Sequence, residues 1–404
     1  MMRVTVFNRS YWPDTGATGQ LLTELAEDLV AHHGFDVTVV AGFPTSQLDS
    51  QRPPSRETRN GVTIIRVAGT RFHQRRFIGR ALNYVSYFAS ALIAAVRLPR
   101  QHVLVAMTDP PIIGLAALMM RRRAKFVFVC QDLFPEVAQL LEDFRSPLVD
   151  RVLEFLTRLI IRKADRTIVL GETMAARLVE RKGADATRLV VIHNWADTDA
   201  IVPLSKDNAF ARAHDLTGKT VVLHAGNIGF GQDLDAVIDA AERLRDRDDV
   251  LFVFVGDGNR RAALEAQART RQLANVRFIP YQAREAVPLV YASGDVGLVS
   301  LKRGLAGCIV PSKLYTILAS GRTVLAAVEE ASETAVIVRN QHCGRVVPVG
   351  DSEALARAVV ELADDPASRS RFGACARKAA LNYSRTRQVA AYARMLRGVG
   401  ETRC

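Results

Sequence analysis

The chain has 404 residues, 49% of them apolar and 24% charged, with a formal net charge of +12. That length is too great for one ordinary core, so two domains are expected, and the composition is that of a soluble globular protein. Five scattered cysteines (Cys130, Cys308, Cys343, Cys375 and Cys404) lack metal-ligand or redox spacing, which argues against a disulfide framework and for a reducing compartment.

Along the first half, residues 3–8 alternate like a buried strand and are soon interrupted by Pro13, Asp14 and Gly16, which does not fit a signal peptide. A loop over 11–19 leads into an amphipathic helix over 20–32, with Leu21, Leu22, Leu25 and Leu29 on one side. Strands are expected at 37–40 and 62–67, with a polar, proline-bearing loop over 46–60 between them. A helix spans 79–96; its most apolar stretch, 84–96, is too short to cross a bilayer. A strand over 102–107 ends at Thr108-Asp109-Pro110-Pro111, followed by a helix over 112–120 and a strand over 126–130. Strands separated by helices imply a parallel sheet covered on both faces.

The pattern restarts after Asn194. Strands at 220–225, 250–255, 276–279, 296–300 and 323–327 alternate with helices at 234–245, 260–271, 285–292 and 313–320, and further helices follow at 352–363, 366–383 and 385–397. This is a second doubly wound unit. The expected boundaries are an N-terminal Rossmann-like domain over 1–195, a C-terminal Rossmann-like domain over 196–383, and a final helix over 384–404 packing back on the first. Ligands of such sheets bind outside the carboxyl ends of the strands. Those ends carry 11–19, 108–111 and 131–136 in the first half. In the second half they carry 226–232 with Asn227, Gly229 and Gln232, 256–258 with Gly256, 280–282 with Tyr281, and 304–313.

The most informative stretch is 296–327. An apolar strand is followed by a glycine-rich basic loop, and Pro311-Ser312-Lys313 then opens a helix ending at Gly321. The first amides of a helix lack intrahelical partners and its dipole favours anions there. Ser312 suits the N-cap by residue type, and Lys313 adds a full positive charge. Asp132 and Glu136 follow the strand over 126–130, where a carboxylate can deprotonate or orient a substrate hydroxyl; Glu136 also suits a helix's first turn. His193 reads as a linker residue, and His224 as a packing residue ahead of the glycine loop. Arg71, Phe72, Arg75, Arg76, Phe77 and Arg80 join bulky and basic side chains without an acid, and Arg121, Arg122 and Arg123 form a second cluster. Such patches suit an anionic membrane surface better than nucleic acid, for which no binding motif is present.

The segments YWPDTGATGQLLTELAEDL, TDPP, CQDLFPEVA, VIHNWAD, HAGNIGFGQDLDAVIDAA, FVGDGNRR, VRFIPYQ and VPSKLYTILASGRTVLA, in this order and spacing, resemble a GT-B glycosyltransferase of family 4. The resemblance is to the bacterial branch that builds colanic acid and O-antigen polysaccharide, and it covers nearly the whole chain. It implies an α/β fold of two Rossmann-like doubly wound parallel-sheet domains facing a cleft. It also implies transfer of a sugar, with retained configuration, from a nucleotide diphosphate sugar to a lipid-linked or oligosaccharide acceptor, with no cofactor and no metal. The protein is expected to be cytoplasmic and peripherally attached to the inner membrane. By the same resemblance, Gly16 and Gly19 approach the transferred sugar and its phosphate, and Pro311, Ser312, Lys313 and Thr316 belong to the donor site. Most members carry an Arg and a Lys on the donor diphosphate where this chain has Asn227 and Gln232. They carry two glutamates, the second on the donor ribose, where it has Cys308 and Thr316. These departures keep open a non-catalytic partner subunit of another transferase, and the two-domain fold keeps open a sugar-nucleotide epimerase.

Overall fold

The structure, a computed structural model, describes residues 1–44, 53–70, 72, 77–121, 124–141 and 146–401, with the backbone alone at 77, 78 and 141. Two compact units divide the chain. The first takes Met1–Gln139, Asp143–His193 and Thr386–Cys404, and the second Leu140–Glu142 and Asn194–Arg385.

The first unit is built on β1 (Met2–Phe7), β2 (Phe35–Gly42), β3 (Arg56–Arg59), β4 (Val62–Val67), β5 (Val103–Ala106), β6 (Lys125–Cys130), β7 (Arg166–Val169) and β8 (Leu189–Val191). Their order is β3-β4-β2-β1-β5-β6-β7-β8, parallel throughout except for β3 against β4. Strands such as β5 and β6 are apolar runs because helices cover both faces. Winding proceeds from β1 through β2 to β4 in one direction and from β5 onward in the other. Right-handed crossovers therefore put helix Ala17–Ala31 on one face and helices Phe77–Val96, Gly114–Met120 and Pro147–Lys163, packed side by side, on the opposite one. The final helix, Arg385–Glu401, belongs to this unit, where Arg397 Nη2 donates to the His33 carbonyl at 2.7 Å.

Several elements were not legible beforehand. The loop expected over 46–60 contains β3, and the stretch between Glu136 and Asn194, left without elements, holds helix Pro147–Lys163, β7, helix Glu172–Arg177 and β8. The edge strand β3 is Arg-Glu-Thr-Arg and buries no residue fully, so it has no apolar signature. β7 and β8 have four and three residues, too few to display a period.

The second unit contains β9 (Thr220–Ala225), β10 (Val250–Val255), β11 (Val276–Ile279), β12 (Val296–Ser300), β13 (Thr323–Ala327) and β14 (Gly344–Val347), the last missed by the sequence reading. The order β11-β10-β9-β12-β13-β14 is the doubly wound dinucleotide-fold order, reversing between β9 and β12. β9 pairs with β10 along its whole length, and β12 with β13 likewise. Between β9 and β12, however, only Val222↔Val296 and Leu223↔Gly297 pair. Beyond those residues the ladder stops, at the reversal point where sheets of this kind have their crevice outside the carboxyl ends of the strands. The helix Lys313–Ala319 lies close over β12 because Gly297 has no side chain: a Cβ there would stand 2.5 Å from Ile317 Cγ2. Ile317 is itself buried, so neither element can yield easily.

Gly297→Ala should therefore lift that helix from β12 and destabilise the fold by about 1–3 kcal/mol, the usual cost of overpacking. Urea unfolding monitored by far-UV circular dichroism measures this, with an unchanged midpoint as the contrary result.

Candidate functional site

In the second unit, the loop after β9 and the helix after β12 meet at the crevice. His224 is the fifth residue of β9, just past the last pair with β12, and is buried. Lys313 opens its helix and reaches back, placing Nζ 3.0 Å from His224 Nε2 and 3.4 Å from Nδ1. His224 Nε2 also lies 3.3 Å from the Asn227 carbonyl oxygen. The Lys313 side chain runs beside exposed Gly226: a Cβ built there would be 3.8 Å from Lys313 Cε.

The expected full charge on Lys313 needs correction. Burial lowers its pKa to about 7, because a desolvated ammonium is disfavoured and His224 offers no countercharge. His224 is itself pushed well below its ordinary value, first by burial and then by the neighbouring Lys313. It is thus neutral at pH 7. His224 does more than pack: it is the residue on which Lys313 rests, and only its place at the strand's carboxyl end hinted at this.

The glycine loop is held from three sides. The Ile228 amide donates to the Asp257 carbonyl at 2.8 Å, and the Gly229 amide donates to Gln232 Oε1 at 2.9 Å. Gln232 thus fixes the loop with its carbonyl end. Gly256, at φ 141°, comes so near that a Cβ would lie 2.0 Å from the Gly226 carbonyl oxygen; only glycine fits. Asn227 and Tyr281 are exposed on the same rim. Pro311, Ser312 and Thr316 are half-buried, and the Tyr291 hydroxyl donates to the Ala225 carbonyl at 3.4 Å. Ser312 occupies the N-cap position, but its backbone is already helical and its side chain makes no capping bond. The Ser312 hydroxyl is therefore not spent on the helix end. Cys308 is fully buried, with its thiol towards the Gly304 carbonyl at 3.7 Å. Beside it, Glu329 accepts the Gly304 and Ala306 amides at 2.8 and 3.2 Å. That carboxylate orders the basic loop, and the sequence reading did not single it out.

In the first unit, the reversal between β1 and β5 brings together the loop after β1 and Asp109. The Arg9 amide donates to the Asp109 carbonyl at 2.7 Å, Arg9 Nε donates to Asp109 Oδ1 at 3.1 Å, and Ser10 Oγ donates to Oδ2. Arg66, its side chain fully buried, donates to the Trp12 carbonyl at 3.1 Å and pairs with Glu57 at 2.6 Å. Arg59 stacks on the Trp12 ring at 4.5 Å. Asp132 is half-buried past β6, and burial followed by the negative charge of Asp109 raises its pKa to about 6. Glu136 fares differently. It opens the helix Glu136–Leu141, and Lys182 Nζ holds its carboxylate at 2.8 Å while also pairing with Glu154. Because Lys182 is almost wholly buried, Glu136 is tied into a structural ion cluster. Gly16 precedes helix Ala17–Ala31 at φ −66°, and a Cβ there would meet nothing within 4 Å. Gly19 is tighter, at 3.3 Å from Asp14 Cβ. Of the proposed membrane residues, Phe72 is exposed and Arg80 half-buried. Arg71, Arg75, Arg76, Arg122, Arg123 and the Phe77 side chain lie outside the described residues.

Residues 16–195 match the glycosyl transferase 4-like domain, and residues 205–379 match glycosyl transferases group 1. The chain belongs to the family 4 GT-B glycosyltransferases. WbjE of Pseudomonas aeruginosa, named as a glycosyltransferase, is 29% identical over 73% of this chain and 74% of its own length. WcaI of Escherichia coli K12, named for colanic acid biosynthesis, is 34% identical over 43% of each chain. The fold is shared with sucrose-phosphate synthase from Thermosynechococcus elongatus (TM-score 0.80, 16% identity, 99% of both chains). It is also shared with Anabaena HepE solved with UDP-glucose (TM-score 0.74, 16% identity, 98% of this chain and 100% of that one). In this glycosyltransferase the crevice between β9 and β12 holds a lysine resting on a neutral histidine.

That arrangement has a cost to the fold. The folded pKa of Lys313 lies near 7, below its ordinary value of 10.5, so between those values the unfolded chain binds more protons and stability rises with pH. Below pH 7 the full penalty is present, and above 10.5 it is gone. Lys313→Met should be more stable than the parent at pH 6, with the two converging towards pH 10. Chemical denaturation across that range measures the difference, and a difference independent of pH would contradict the assignment.

Proposed function

We propose that this glycosyltransferase moves a sugar from a nucleotide diphosphate sugar to a lipid-linked or oligosaccharide acceptor in cell-surface polysaccharide synthesis. The donor diphosphate would occupy the crevice of the second unit. The observation that carries this reading is Lys313 on neutral His224 beside exposed Gly226, at the point where the winding of the sheet reverses. The UDP and UDP-glucose complexes of HepE, a protein of the same fold, support a nucleotide-sugar donor, and WbjE and WcaI support the polysaccharide role.

The chemistry follows from the charge. An arriving diphosphate stabilises the ammonium and pulls the pKa of Lys313 up, so the lysine takes up a proton as the donor binds. The resulting ion pair is desolvated and can stabilise the departing diphosphate. Ser312, free of capping duty, and Thr316 offer hydroxyls on the same helix. No metal is assigned a role, and configuration is retained in this reading. Gly16, which no neighbouring protein atom requires to be glycine, leaves room for close approach of the sugar. Asp132 serves as the base or orienting group for the acceptor hydroxyl. The acceptor would be held at the cytoplasmic face of the inner membrane, with the chain attached peripherally; no described helix is long and apolar enough to cross a membrane.

The burial of Cys308, where most of the family has a glutamate, favours a second reading in which the chain binds the donor but assists another transferase. Turnover by the purified chain separates the two.

Calorimetry with UDP in buffer containing EDTA should show binding. Lys313→Met should weaken it by roughly 10–100-fold, since a hydrogen bond to a charged group contributes about 1.5–3 kcal/mol. Equal affinity in the two proteins would refute the site. If Asp132 is the base it must be ionised, so kcat/KM should fall as pH drops through about 6. Asp132→Asn should lose that limb together with roughly 10²–10⁴ of the rate. A profile with the same acidic limb in the variant would remove Asp132 from the chemistry.

A further inference from the structure

The helix Phe77–Val96 is apolar on both sides. Its inward stripe, Asn83, Tyr87, Ala91 and Ala95, is buried, and the Tyr87 hydroxyl donates to the Val40 carbonyl at 2.8 Å. Its outward stripe is Leu82, Val85, Ala89, Ile93 and Val96, all exposed, and no charged residue occurs from 81 to 96. A helix on a water-facing surface normally presents polar residues outward. The neighbouring helices continue the anomaly. Gly114–Met120 exposes Met119, and Pro147–Lys163 exposes Leu148, Val152 and Phe155. Of the fourteen exposed large apolar side chains among the described residues, eight stand on these three adjacent helices, so they form a patch rather than scattered surface residues.

The surroundings select the occupant. Arg97, Arg100, Arg151, Arg158, Arg162 and Lys163 are exposed on or beside the same helices. Of the acids nearby, Glu154 pairs with Lys182 and Arg158, and Asp165 with Arg121 and Lys125, while Asp150 lies half-buried in the first turn of the helix Pro147–Lys163; cations still outnumber acids on this face. A second copy of the chain docked by a two-fold axis would set these cations against themselves. An anionic bilayer complements both the apolar stripe and its basic border. A cavity of about 300 Å³ at the carboxyl end of the helix Phe77–Val96 is lined by Ala95, Leu98, Leu104 and Met120 together with Arg100 and Arg121. Apolar walls beside guanidinium groups match a lipid chain below an anionic headgroup. At the amino end, Asn83 pins the backbone of exposed Phe72, accepting from its amide at 3.0 Å and donating to its carbonyl at 3.0 Å.

We propose that the outer face of helices Phe77–Val96, Gly114–Met120 and Pro147–Lys163 lies in the interfacial region of an anionic bilayer, with the adjoining cavity taking one lipid chain. This rests on the membrane-bound acceptor proposed above and places attachment on these three helices rather than on Arg71–Arg80 alone.

The test is sedimentation of the full chain with phosphatidylcholine vesicles and with 3:1 phosphatidylcholine–phosphatidylglycerol vesicles, at 0.1 and 0.5 M salt. Val85→Glu/Ile93→Glu and Val152→Glu/Phe155→Glu should each reduce binding to the anionic vesicles by roughly tenfold or more. Leu204→Glu, an exposed apolar position of the second unit, should leave it unchanged. Part of the parent's binding should survive high salt, because apolar insertion is not screened. Thermal unfolding followed by circular dichroism accompanies each variant as the check on folding, and Val85→Ser/Ile93→Ser replaces a glutamate variant that does not fold. The proposal is overturned if the parent does not sediment with anionic vesicles, if it binds both vesicle types equally, or if the double variants bind as the parent does. It is also overturned if the same variants abolish a dimer of the parent in analytical ultracentrifugation. Failure of UDP to bind the parent would count against the donor site alone, since the vesicle experiment contains no nucleotide.

Discussion

Everything at the crevice of the second unit depends on how briefly β9 and β12 pair. In a parallel sheet wound both ways from its centre, the connections after the two central strands leave in opposite directions, and nothing covers the space between them. Here the β9–β12 ladder stops after Leu223 and Gly297, so on that side His224 meets Lys313, at the start of the helix Lys313–Ala319, in place of a β12 partner. Absent the Gly297 contact with Ile317, the helix would sit farther from β12 and Lys313 would be less well placed to reach His224.

Desolvation then sets the chemistry. Both groups with large functional shifts, Lys313 and Asp132, are moved first by burial and only second, if at all, by a neighbouring charge. Burial favours the neutral form of each, which raises the carboxyl and lowers the ammonium. Burial thus leaves both groups titrating near neutral pH, Lys313 at about 7 and Asp132 at about 6. Lys182 shows the contrasting solution. It is more deeply buried than Lys313, yet its two carboxylate partners Glu136 and Glu154 keep the cluster a structural element.

The departures from the family pattern become intelligible at this level. Gln232 replaces a cation but uses its carbonyl to hold the Gly229 amide. The loop thus gains rigidity where the wider family gains charge. Cys308 turns inward, and the carboxylate that orders this region, Glu329, comes from beyond β13. Where the resemblance implies a second glutamate, this chain has Thr316, on the helix that Lys313 opens.

The sequence by itself determined the class of fold, the two-unit organisation, the strands with apolar runs, and which loops crowd the carboxyl ends of the strands. These follow from periodicity and turn residues, which are local. It also pointed to Lys313 and Asp132 by residue type and place on a strand or helix end. Short or polar elements such as β3, β7, β8 and β14 escaped because they carry too few apolar residues to show a period. The charge state of Lys313, the support from His224, the engagement of Glu136 and the inward turn of Cys308 were decided by tertiary structure alone. Each depends on burial or on a partner distant in sequence: Lys313 and His224 are 89 residues apart, and Glu136 and Lys182 are 46 apart. The outward apolar stripe of the helix Phe77–Val96 belongs with them. Its composition was visible in the sequence, but which of its two apolar sides faced solvent was fixed only when the sheet claimed the other.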